Sequence, residues 1–189
     1  MKTLKLRLKD KHATVLYELA RQVNFVWNYS NDLCFKHLQR TGKFFSAYDI
    51  QKYTNGASKA GLDLHSQTIQ AICDEYVTRR RQSKKAKLRW RASGGSRKSL
   101  GWIPFKASGI KYQNGQIKYA GQFFSLWDSY GLSKYTLRTG CFTQDSRGRW
   151  YICLVADLKE PIIVPPNTST ESIGIDLGLK DFATLSNGT

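Results

Sequence analysis

Residues 2–9 read KTLKLRLK. Leu4, Leu6 and Leu8 fall on one side of an extended chain and Lys5, Arg7 and Lys9 on the other, the period-two alternation of a strand half buried in a sheet. A lone strand needs partners. None is offered before Arg91, so they must come from the C-terminal half, and whatever lies between becomes an insertion into a β-domain.

The intervening stretch has a helical period. Leu16, Leu19, Ala20, Val23, Val26, Trp27, Leu33, Cys34 and Leu38 recur every three or four residues from about His12 to Arg40, and Gly42 is placed to stop the helix. Ser46 with Asp49 three residues on predicts a short second helix, ended by Asn55-Gly56. After GASKAG, Asp63 or Ser66 is expected to cap a third helix with Ile69, Ile72, Cys73, Tyr76 and Val77 on its apolar stripe. That helix runs out into RRRQSKKAKLRWR. Cations at a helix C-terminus suit the macrodipole, so part of this run has a structural explanation.

Beyond Arg91 the pattern becomes β. IKYQNGQIKY reads as a hairpin on a type I′ Asn-Gly turn, and CFTQDSRGRWYICLVADL as a second hairpin turning at Asp145 to Gly148. PIIVPPNTSTES carries three of the four prolines and reads as a linker. The expected fold is α+β: a small antiparallel OB-like β-barrel from residues 1–10 and 88–160, a helical insertion at 11–87, a linker at 161–171 and a separate segment at 172–189.

The chain has 189 residues, 41% of them apolar, enough for a buried core. Thirty Lys and Arg against fourteen Asp and Glu give a formal charge of +16, which attracts polyanions such as nucleic acid or an anionic membrane. No run approaches the roughly 20 apolar residues of a spanning helix, and MKTLKLRLKDK does not build a signal-peptide core, so no membrane partner is expected. Cys34, Cys73, Cys141 and Cys153 form no C-x-x-C pair, so no zinc site is expected. They read as buried thiols in a reducing cytoplasm.

From Tyr76 to Trp127 there are 13 Lys or Arg and no acid, interleaved with nine aromatics: Tyr76, Trp90, Trp102, Phe105, Tyr112, Tyr119, Phe123, Phe124 and Trp127. Cations neutralise phosphates and exposed rings stack on unpaired bases. The plainer reading, aromatics in the core, suits most of the rings. It does not account for the missing acids, because a merely solvated face mixes signs. The cations expected to meet nucleic-acid backbone are Arg79, Arg80, Arg81, Lys84, Lys85, Lys87, Arg89, Arg91, Arg97, Lys98 and Lys106.

In SIGIDLGLKDFATLSNGT, residues 172–189, Ile173, Ile175 and Leu177 alternate with Gly174 and Asp176, so Asp176 leaves a strand opposite the isoleucines, and FATLS reads as a second short strand. A carboxylate so placed suits metal-dependent nuclease chemistry, although one Asp cannot hold an ion pair. ATPases with an RNase H-like fold open on a similar strand, and a buried strand with a chance Asp is a third reading.

The string GIDLGLKDFATLSNG resembles TnpB, the OrfB-type insertion-sequence nucleases related to type V CRISPR effectors. FVWN at Phe25–Asn28, the third helix with Gln70 and its basic exit, and GRWYICLVAD at Gly148–Asp157 extend the resemblance over nearly the whole chain. It implies a wedge-like barrel interrupted by a recognition insert, followed by the first hairpin of a RuvC-type nuclease domain. The implied partners are a guide RNA and target double-stranded DNA, with base pairing reading the sequence and the protein reading shape and a short flanking motif. Asp176 matches the first RuvC carboxylate, a ligand of divalent metal (Mg2+). Gln70 matches a position contacting the flanking motif, and Gln67 and Tyr48 lie near comparable positions. A Gln can pair bidentately with adenine in the major groove. Asp157, Glu160 and Asp181 do not match the family's other carboxylates. The 189 residues are therefore expected to bind RNA and DNA but not to cut alone, a nuclease part on the same or another chain completing the RNA-guided endonuclease. The alternatives are a nuclease-inactive RNA-guided DNA-binding protein and, more remotely, the ATPase.

Overall fold

The computed structural model describes residues 1–159 and, beyond them, the backbone of two two-residue strands. Residues 1–159 form one compact unit and 160–189 a second. In the first, β1 (Lys2–Arg7) is followed by three helices, α1 (Ala13–Thr41), α2 (Ala47–Thr54) and α3 (Ser66–Ser83). Six strands complete it: β2 (Trp102–Phe105), β3 (Ile110–Gln113), β4 (Gln116–Tyr119), β5 (Gln122–Ser125), β6 (Tyr135–Gln144) and β7 (Trp150–Leu158).

β1 finds its partner in β7, antiparallel, with Leu4 opposite Leu154 and Leu6 opposite Ile152. Leu4, Leu6 and Leu8 are all buried, each contributing about 1.5–3 kcal/mol of transfer free energy. The first sheet runs β1-β7-β6-β2 and the second β3-β4-β5. Pro104 sits in β2, the edge strand, where a missing N–H costs least. Gly140 resumes the β6–β7 ladder after a bulge, where an added Cβ would strike the Cys153 carbonyl. Asn114 and Gly115 both have positive φ, 49° and 75°, as the type I′ turn between β3 and β4 requires.

Phe142 on β6 joins the two sheets. Its ring meets Phe105, Tyr119 and Phe124 at centroid distances of 5.3–5.4 Å. An isolated bridge between Leu8 and Leu126, with Trp127 N donating to the Arg7 carbonyl, joins the end of β1 to the second sheet. No ladder pairs β2 with β3 among the described residues, so the expected closed barrel is not formed; the architecture is α+β with two antiparallel sheets.

α1 ends at Gly42 in the left-handed region, and the Ser46/Asp49 capping box opens α2 as expected. The cap of α3 is different. His65 fills it, Nδ1 accepting from Gln67 N at 3.2 Å, while Asp63 exchanges two bonds with Gln22 of α1. The apolar stripe of α3 is buried, and the Thr68 hydroxyl pairs with Tyr119 OH at 2.7 Å, tying α3 to β4. Cys34 and Cys73 are buried; Cys141 and Cys153 are only half-buried and face each other across β6 and β7.

The linker expected at 161–171 lies outside the described residues. In the second unit Ile175–Asp176 (β8) pairs antiparallel with Thr184–Leu185 (β9). Among the described residues no helix is long and apolar enough to cross a membrane.

His12, at the entrance to α1, accepts a hydrogen bond at Nε2 from Ser125 N (2.8 Å) and lies edge-on to Phe124. Partial burial, with Lys11 alongside, lowers its pKa from the ordinary 6.5. The unfolded chain therefore takes up the proton first as pH falls, so this contact's stability is complete above about pH 6.5 and is lost below it. Thermal melts of the wild type should show a melting temperature rising with pH up to about 6.5, and His12→Gln should remove that component. An unchanged pH profile in the variant contradicts this role.

Candidate nucleic-acid interface

Three asparagines one or two turns apart on α1 hold the basic segment that follows α3. Asn31 donates to the Leu88 carbonyl (2.8 Å) and accepts from Leu88 N (3.0 Å). Asn28 does the same for Arg91, at 2.9 Å in both directions. Asn24 donates to the Ser93 hydroxyl and accepts from Arg91 Nε at 2.7 Å. Asn is an indifferent helix residue, and its amide offers the donor and acceptor of a peptide group, so residues 88–91 are bound much as a strand would be.

Arg91 is thus anchored within the protein by its backbone and its side chain. Its Nη2 donates to the Leu100 carbonyl, and its guanidinium lies 5.9 Å from the Trp27 ring and 5.5 Å from Trp102. Burial lowers its pKa from the ordinary arginine value. Trp27 of FVWN is buried edge-on to Tyr76 and Trp102, which explains an aromatic at that position; Phe25 is exposed.

Arg80 is likewise engaged within the protein. It is 5% exposed, donates from Nη2 to the Phe45 carbonyl and lies 3.7 Å from the Phe44 ring centroid. Arg79 pairs with Glu75, Lys87 with Asp32 and Lys106 with Asp74. Lys98 sits 4.1 Å over Tyr17. Arg81, Lys84, Lys85, Arg89 and Arg97 remain exposed, with no carboxylate within 4 Å among the described residues. Of the eleven cations singled out in the sequence, these five have neither a carboxylate nor an aromatic ring as a side-chain partner among the described residues.

Of the nine aromatics in the acid-free window, Trp90, Phe123 and Trp127 are exposed, while Tyr76, Phe105, Tyr119 and Phe124 are core. Phe123 lies under Lys118 and Trp127 under Lys9. Three of the nine rings are therefore accessible to solvent.

Tyr48 and Gln70 line one cleft of about 900 Å³ between α2, α3 and the loop joining them. Tyr48 is 70% exposed with Lys52 over its ring, and Gln70 is exposed on α3. The cleft also presents Lys59 and His65. Gln67 is not brought there: its Oε1 accepts from the Ser108 hydroxyl at 2.7 Å, toward the β2–β3 connection.

Asp176 lies on β8 opposite Thr184, and its side chain is outside the described residues. Among the described residues no three His, Cys, Asp or Glu side chains converge as a metal site would require.

Asn28→Ala should leave both polar groups of Arg91 unpaired and cost roughly 1–3 kcal/mol. Hydrogen exchange should then speed at the Arg91 amide well before the β6–β7 ladder is affected. Equal acceleration everywhere, or none, contradicts the clamp.

Compared with models of known protein families and with curated proteins, the chain gives no match.

Proposed function

We propose that the chain is the guide-RNA- and DNA-binding part of a TnpB-type RNA-guided DNA endonuclease of a mobile element. Two observations support the reading: five exposed cations without carboxylate partners at and beyond the C-terminal end of α3, and an α2–α3 cleft that presents Gln70 and Tyr48. Unpaired cations favour a polyanion, and a Gln on an exposed helix face can read an adenine edge in duplex DNA.

In this reading the two sheets form the wedge-like body and the helices the recognition insert. Trp90, Phe123 and Trp127 stack on unpaired bases of the guide RNA, the free cations track its phosphates, and Gln70 with Tyr48 faces the flanking motif. The β8–β9 pair is the first hairpin of a RuvC-type domain, with Asp176 as a carboxylate for divalent metal. Such metals polarise a scissile phosphate and activate water. The reading requires further carboxylates, from a nuclease part on the same or another chain. Gln67, engaged with Ser108, has a positioning role between α3 and the sheets.

The test is selection from a duplex DNA library with a randomised flank, using protein bound to the RNA it retains on purification and targets matched to that RNA. The wild type should enrich a short flanking motif, and Gln70→Ala should reduce its discrimination at one base pair by about tenfold, a bidentate contact being worth roughly 1–3 kcal/mol. Identical enrichment by both proteins overturns the assignment of Gln70. Absence of any retained RNA overturns the function.

A further inference from the structure

At the C-terminal end of α3, away from the α2–α3 cleft, lies a separate pocket of about 380 Å³. Phe44, Phe45 and Ser46, leading into α2, form one wall, and Arg80, Arg81, Lys84 and Lys85 form the other. The pocket is lined by four cations and by no carboxylate. Asp49, the nearest acid in sequence, is committed to the capping box: it accepts from the Ser46 hydroxyl (2.7 Å) and from Ser46 N (3.1 Å).

Arg80 is the unusual member. An arginine 95% removed from solvent ordinarily meets a carboxylate, yet here one carbonyl accepts from Nη2 and Nε has no partner. Its guanidinium carbon instead lies 3.7 Å from the centroid of the Phe44 ring, covering one face of it, while Phe44 stays 47% exposed. A ring held on one face by a cation and open on the other is a stacking platform prepared before any ligand arrives. The carbonyl end of a helix does not attract anions, so anion binding at this place rests entirely on the cations. Four of them side by side repel one another until a counter-charge enters.

The volume exceeds what a bare phosphate needs and falls in the range of small-ligand pockets. We propose that this pocket seats one unpaired nucleotide of a bound RNA strand, its base on the open face of Phe44 and its phosphate held by Arg81, Lys84 and Lys85. The proposal rests on the reading of the chain as RNA-binding and adds a defined subsite to it. Arg80 is a positioning residue that orients the ring.

The test uses the full chain and a labelled single-stranded uridine-rich RNA, with affinity measured by fluorescence anisotropy at several salt concentrations. Phe44→Ala should weaken binding about tenfold with the salt slope unchanged, because a stacked base is worth roughly 1–3 kcal/mol and carries no counterion. Phe44→Trp should restore affinity to within about twofold, since every base stacks on any aromatic face. The triple variant Arg81→Gln, Lys84→Gln, Lys85→Gln should flatten the slope by about 2. Phe44→Ala binding RNA as tightly as the wild type, or Phe44→Trp failing as Phe44→Ala does, overturns the subsite alone. A wild-type chain that does not bind the RNA overturns the subsite together with the reading beneath it.

Discussion

The asparagine ladder on α1 is the constraint on which the rest of the surface depends. Residues 84–98 carry seven of the chain's cations, and such a segment left to itself extends by self-repulsion. Asn24, Asn28 and Asn31 supply the missing peptide partners, so the segment is bound at Leu88 and Arg91 while the side chains between and beyond them point outward. Arg91 turns the arrangement into a three-way junction, joining α1, the basic segment and the Leu100 carbonyl that precedes β2.

The junction divides one run of positive charge into two classes. Arg80 and Arg91 are consumed by packing, against Phe44 and against Trp27 with Trp102. Arg79, Lys87 and Lys106 each face a carboxylate on a helix. What is left is a smaller set than composition implies, but a fixed one. Cations on a clamped backbone lose less entropy on meeting phosphates than cations on a free loop.

Local signals in the sequence carried the elements with strong punctuation. Gly42, the Ser46/Asp49 box and Asn114-Gly115 each act within a few residues, and each element boundary follows them. The alternation of Leu4, Leu6 and Leu8 announced a strand whose partner lay some 150 residues away, and the antiparallel β7 is that partner. Tertiary choices were hidden. Arg80 and Arg91 look identical to their neighbours in the string, and only the Phe44 ring and the Trp27/Trp102 pair distinguish them. His65 caps α3 because Asp63 is drawn away by Gln22, a contact between distant residues. The barrel expectation overreached because strand count does not fix closure: β2 and β3 meet no common ladder. The spacing of Asn24, Asn28 and Asn31 was a visible clue, since residues of modest helix propensity placed on one buried face need a reason to be there.

The claim that five exposed cations form a phosphate-tracking surface is tested most directly by the salt dependence of wild-type RNA affinity. Each phosphate contact contributes about −0.7 to the slope of log affinity against log salt for a single strand, so five predict a slope of roughly −3.5. A slope near zero, with affinity for RNA no greater than for an uncharged polymer, would contradict it.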